Sequence, residues 1–200
     1  GRFGENATMS VMDLQHAQEM ADAVDALYAK LMTLINIQKK IDPDAILVDG
    51  GDFSMGSLFQ TAYHTSAIEL RIMGAMGYDA TTLGNHEFDY LPAGLSKMLY
   101  AAIESGEPVP MILNSNYLPP TADDPAYTED SKAVQDAFDA YGVKKYTILE
   151  RGGIYYVLFG LFGDDADACA PNSGMILEDP IASAQKIVDE AVVECRELYD

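Results

Sequence analysis

Apolar residues at Met20, Val24, Leu27, Leu31 and Leu34 or Ile35 recur at spacings of three and four, which puts them on one side of a helix predicted over 17–40. Pro43 should stop that helix, because the residue before a proline is pushed out of helical geometry. The next run, Ala45-Ile46-Leu47-Val48-Asp49, is apolar without alternation, the pattern of a short strand buried on both faces. Ser66-Ala67-Ile68-Glu69 has the spacing in which a serine caps a helix and a glutamate reaches back to it, predicting a helix through Ala75 that ends around Gly77. A strand over 80–83, a loop over 84–89 and a helix opened by Pro92 and ending near Gly106 follow. A third strand over 111–114 comes next, then an irregular acidic loop over 117–130 and a short helix over 131–141.

Two strand-like runs, 144–150 and 154–162, flank Arg151-Gly152-Gly153 and read as a β-hairpin. A loop over 163–178 leads to a last helix over 180–199, with Pro180 in its first turn. Helix, repeated strand–helix units, hairpin and helix make a layered α/β sandwich with a largely parallel central sheet. Residues 1–200 are expected to form one domain, incomplete at both ends, since a strand should precede the first helix and another should follow the last.

Composition narrows the picture. The chain has 200 residues, 48% of them hydrophobic, enough for a core and too many for a disordered chain. No apolar run approaches the ~20 residues that span a bilayer, and residues 1–10 carry no signal-peptide core. Cys169 and Cys195 are too few for a disulfide framework, and either a single pair or two free thiols is compatible with them. Asp and Glu number 32 against 12 Lys and Arg, a formal charge of −20. Such a chain repels a duplex phosphate backbone. It attracts cations, although acidity also serves solubility alone.

The chemistry gathers where strands end, which is where open α/β sheets bind ligands. After the first strand comes Asp49-Gly50-Gly51-Asp52, continuing through Phe53-Ser54-Met55-Gly56. After the second comes Gly84-Asn85-His86-Glu87-Phe88-Asp89, with an amide, an imidazole and two carboxylates in six residues. The third strand ends in Asn114-Ser115-Asn116. Carboxylate, amide oxygen and imidazole suit divalent ions such as Mn, Fe, Co or Zn. Each loop alone also reads as an ordinary turn. Two of them on one sheet rim are what favours a site. His16 and His64 have no such context and are expected at the surface.

Val48-Asp49-Gly50-Gly51-Asp52, Gly84-Asn85-His86-Glu87-Phe88-Asp89 and Asn114-Ser115-Asn116-Tyr117 resemble three successive motifs of the calcineurin-like metallophosphoesterases, most closely the 5′-nucleotidase family, over most of residues 44–200. The run Tyr156-Val157-Leu158-Phe159-Gly160-Leu161-Phe162 is similar to that family too. The resemblance implies a metal-dependent hydrolase of nucleotides or related phosphate esters, working through two divalent ions in the intact enzyme. It implies that Asp52 bridges the metals, that Asn85 ligates one, and that His86 acts on the phosphoryl group with Asp89 behind it. Asn116 is expected to touch substrate. It also implies a periplasmic, cell-surface or secreted protein.

The family's first motif, D-x-H, is absent, and Gly1-Arg2-Phe3 resembles the residues just after it. The later histidine motifs and the nucleoside-binding C-terminal domain are absent as well. The chain is therefore expected to be a fragment whose missing segments complete the metal centre. The alternative from another class is a non-catalytic binding module that retains the fold.

Overall fold

The computed structural model describes residues 11–55 and 58–199. Gly1-Arg2-Phe3 and Gly56 lie outside the described residues, as do the side chains of His16, Met20 and Val24. The chain divides into two units, Gly1–Pro43 and Asp44–Asp200.

The first unit holds helix α1, Val11–Ile41, which stops just before Pro43 as the proline requires. Its apolar stripe is covered only in part. Ile35 is buried, whereas Leu27, Leu31 and Leu34 are exposed. Spacing fixes which residues share a side of a helix, not what packs against that side.

The second unit is built on parallel pairing. Val48 bridges Ala80, strand β1 (Ala80–Thr81) pairs with β2 (Met111–Ile112), and Leu113 bridges Lys144, all parallel. The apolar run at 45–49 thus contributes one bridge rather than a full strand. The hairpin forms as its sequence predicts: β4 (Tyr146–Arg151) runs antiparallel to β5 (Ile154–Phe159), closed by Gly152 and Gly153 at φ 59° and 77°. Both segments expected to be irregular contain structure. Strand β3 (Tyr117–Leu118) pairs antiparallel with β6 (Ile176–Leu177), and α6 (Asp164–Cys169) lies between hairpin and β6. Two-residue strands leave no alternation in a sequence to detect.

Helix α4 (Leu91–Ser105) starts at the proline and ends at Gly106, whose φ of 64° suits glycine. Helix α5 (Glu129–Tyr141) begins two residues before its expected start, because the Thr128 hydroxyl accepts the Ser131 N–H at 3.1 Å. Helix α7 (Pro180–Tyr199) matches its expected range. The buried layer runs through Tyr63, Leu70, Leu95, Met98, Leu99 and Ile112. Tyr117 stacks on Phe162 with centroids 3.9 Å apart, and Phe88 meets both edge-on. Phe88 thereby anchors the 84–89 loop in the core.

The capping box expected at Ser66–Glu69 does not form. Helix α2 (Tyr63–Ser66) and α3 (Ile68–Met76) are separated by Ala67 in the left-handed region at φ 47°. The Ser66 hydroxyl instead donates back to the Ala62 carbonyl at 3.0 Å. Glu69 is left 3% exposed, with neither carboxylate oxygen hydrogen-bonded among the described residues. Burial pushes its carboxyl up to about 7. A raised folded-state value means that the stability linked to its proton is complete below the unfolded value. That stability is lost as pH rises through about 7. Glu69→Met should therefore stabilise the chain by about 1–2 kcal/mol at pH 8 and much less at pH 5, read by urea unfolding at both.

His64 is not the surface histidine expected. It is half-buried, its ring lies 4.9 Å from that of Tyr90, and its Nδ1 is buried without a partner among the described residues. Cys169 and Cys195 are free thiols.

Candidate active site

The site begins with two backbones pressed together. Gly51 takes φ 91° and Asp52 φ 59°, a left-handed pair that turns the first loop sharply back. A Cβ at Gly51 would lie 2.7 Å from the Gly84 nitrogen, and one at Gly84 would lie 2.7 Å from the Asp52 nitrogen. Only glycine allows this approach on either side. Gly84→Ala should consequently pry the loops apart, costing about 1–3 kcal/mol in thermal unfolding and the geometry described next.

Across that contact the His86 backbone N–H donates to Asp52 Oδ1 at 3.0 Å. His86 Nδ1 lies 3.0 Å from Asp89 Oδ2. A carboxylate only accepts, so Nδ1 carries the proton and Nε2 is the nitrogen that faces away. The Asp89 hydrogen bond is the main reason the imidazole holds its proton above the usual histidine range, against a smaller opposing effect of desolvation. Gln60 also donates to Asp89 Oδ2, at 2.8 Å, which steadies the carboxylate from the far side. Asp52, His86 and Asp89 are thus joined by direct hydrogen bonds. Asn85 sits between them in the chain, and its amide has no hydrogen bond among the described residues.

Glu87 holds this arrangement, and sequence reasoning gave it no role. It is fully buried, and its carboxylate accepts the N–H groups of Asp52 at 2.8 Å, Ser54 at 3.1 Å and Gly84 at 2.6 Å. One side chain thereby clamps both loops. Burial pushes its carboxyl up to about 7, while the three backbone donors pull the other way. The Tyr63 hydroxyl donates to the Glu87 carbonyl at 2.8 Å.

The third loop is corrected. Asn116, expected to touch substrate, is completely buried. Its Nδ2 donates to the Phe162 and Glu178 carbonyls, each at 3.0 Å, and its Oδ1 accepts the Phe162 N–H at 2.8 Å. Asn114 is buried too, donating to the Tyr117 carbonyl and accepting its N–H. These amides brace the segments around β3 rather than facing a ligand.

For a metal, the donors fit in kind. Asp52 is exposed and uses one carboxylate oxygen on the His86 N–H, while the Asn85 amide is unengaged. Both are hard oxygen ligands suited to divalent ions. Among the described residues no three His, Cys, Asp or Glu side chains gather as a metal-holding cluster.

The curated relatives agree with the motifs. The trifunctional nucleotide phosphoesterase protein YfkN of Bacillus subtilis is 31% identical over 175 residues, 80% of this chain and 12% of that protein. Human 5′-nucleotidase is 26% identical over 171 residues, 81% of this chain and 25% of its own length. The chain belongs with the calcineurin-like phosphoesterases of the 5′-nucleotidase family. It spans between about an eighth and a quarter of the length of these two relatives. No protein-family profile matches it.

Solved structures of this family carry the same fold. Haemophilus influenzae NAD nucleotidase superposes at a TM-score of 0.60 and 22% identity, over 84% of this chain and 29% of that one. Calcineurin-like phosphoesterase YfkN superposes at 0.56 and 19% identity, over 82% of this chain and 49% of that one. The expected α/β fold with parallel sheet pairing is the fold found.

Proposed function

We propose that this chain supplies the Asp52, Asn85, His86 and Asp89 portion of a metal-dependent phosphoesterase centre that hydrolyses nucleotides or related phosphate esters. The observation that carries the reading is the His86 Nδ1–Asp89 Oδ2 contact of 3.0 Å beside the Asp52 carboxylate. Asp52 and Asn85 would hold divalent metal, of the Mn, Zn, Co or Fe class. Such an ion, when bound, withdraws charge from phosphoryl oxygens and acidifies water. His86 presents Nε2–H to the phosphoryl group and gives its proton to the leaving oxygen, and Asp89 keeps the imidazole oriented and basic enough to recover it. The −20 charge leaves the chain little else to attract an anionic ester. The nucleotide substrate follows the activities for which the relatives are named, and a compartment outside the cytoplasm follows from the same kinship. Among the described residues no helix is long and apolar enough to cross a membrane.

The test is hydrolysis of AMP, a UDP-sugar and a 2′,3′-cyclic nucleotide with Mn or Co, using the longest natural form of the polypeptide. Release of phosphate or nucleoside that vanishes in Asn85→Ala supports the reading, and unchanged turnover in that variant sinks it. A non-catalytic binding module is favoured by one observation, that two donors alone are short of the four to six ligands a tight site uses. Metal content separates the cases. Asp52→Asn should weaken Mn binding about tenfold or more by calorimetry in the phosphoesterase, and should change nothing in a module that uses no metal.

A further inference from the structure

The contact between His86 and Asp89 is open to water, with side chains 28% and 40% exposed. A polar contact in that setting is weak on its own, because water competes for both partners. The terminal torsion of an aspartate is also broad. One bond would leave the carboxylate free to turn away from the ring. The structure supplies a second. Gln60 Nε2 donates at 2.8 Å to Asp89 Oδ2, the same oxygen that His86 Nδ1 reaches at 3.0 Å. A carboxylate offers no donor, so Gln60 must present its NH₂ here. Two donors from separate segments leave one carboxylate orientation that satisfies both.

Gln60 is itself held in place. It lies in the 3₁₀ turn Leu58–Ala62, which runs directly into α2. Gln60, Tyr63 and His64 stand at i, i+3 and i+4, on one side of a helical segment. They reach Asp89, Glu87 and Tyr90, three residues that follow His86 closely in the chain. Tyr63 is completely buried, with its hydroxyl on the Glu87 carbonyl and its ring stacked on Tyr90 at 5.8 Å. Packing around Tyr63 thus delivers the Gln60 amide to Asp89.

We propose that Gln60 is a positioning residue for the hydrolysis, holding Asp89 in the one orientation that keeps the His86 ring aimed at the phosphoryl group; the role rests on the phosphoesterase reading. When the bond from phosphorus to the leaving oxygen breaks, its electron pair stays on that oxygen and takes the proton from Nε2. The attacking water forms the new bond to phosphorus, and the proton it releases restores Nε2–H. Gln60 touches none of these atoms and acts only through Asp89.

The experiment compares the parent with Gln60→Met and Gln60→Lys, in the longest natural form of the polypeptide, on AMP and on p-nitrophenyl phosphate with Mn. The ribose oxygen of AMP needs a proton to leave, whereas nitrophenolate leaves as a stable anion. Gln60→Met should lower kcat for AMP about tenfold at unchanged KM, and for p-nitrophenyl phosphate by less than about threefold. Gln60→Lys keeps a donor of similar reach and should stay within about threefold of the parent on AMP. A packing role alone would rank the variants the other way, since methionine matches glutamine in shape and lysine adds a charge. Ring-nitrogen NMR of the metal-free protein, at alkaline pH where the imidazole is neutral, gives a readout independent of turnover. His86 should carry its proton on Nδ1 in the parent and in Gln60→Lys, and shift towards the Nε2–H tautomer in Gln60→Met. Equal losses on the two esters, parental turnover of AMP in Gln60→Met, or an unchanged tautomer in that variant overturns the proposal. A parent that hydrolyses neither ester counts against the phosphoesterase reading, and the spectra then decide alone whether Gln60 orients the pair.

Discussion

His86→Ala should lower kcat for a 5′-nucleotide by about 10³-fold with little change in KM, measured by steady-state kinetics with saturating Mn. The size follows from the role. A proton delivered to the leaving oxygen matters in the transition state and hardly at all in the ground state. The pH profile carries a second signature. Asp89 is the main cause of the raised imidazole value. Activity that needs protonated His86 should fall on the alkaline side as pH rises through that value. In Asp89→Asn the largest upward push is gone, leaving only the weaker ones of Asp52 and Glu87, so the alkaline limb should move to lower pH, with kcat down about 10–100-fold. An alkaline limb that stays in place would show that another group sets it.

The largest effect on stability should come from Glu87. Glu87→Ala leaves the N–H groups of Asp52, Ser54 and Gly84 without their acceptor inside the protein. The expected loss is about 3–5 kcal/mol in urea unfolding. Glu87→Gln is the informative companion. Its carbonyl oxygen can accept from one side, but its NH₂ must then face a backbone donor. The expected loss is smaller, about 1–3 kcal/mol. Equal losses in the two variants would mean that side-chain volume, not hydrogen-bond acceptance, holds the loops.

These two residues also mark what the amino-acid string made legible. His86 and Asp52 could be found because each follows a glycine-marked turn at a predicted strand end, where the sheet rim collects ligands. Glu87 could not be separated from its neighbours, because a carboxylate looks the same in a sequence whether it is solvated or clamped on three backbone donors. Asn116 failed for the mirror reason: an amide that suits a ligand suits main-chain carbonyls equally well. At Ser66–Glu69 a sound spacing rule was defeated by Ala67, since alanine gives no hint of a left-handed backbone. The helices α4 and α7 were legible because proline marks both starts and glycine the end of α4. Strands β3 and β6 were not, since two residues each, paired only with one another, carry no periodicity.

The clamp at Glu87 has a consequence for how such a chain can vary in length. Its carboxylate returns to the N–H of Gly84 and also reaches across to Asp52, so the count of residues from 84 to 87 is fixed by a closed ring of hydrogen bonds. An insertion or deletion inside that ring should be lethal to the fold even in a lineage that has abandoned hydrolysis. Descendants should therefore keep Gly84, Glu87 and the turn at Asp52 in register, whatever changes they admit elsewhere in the chain.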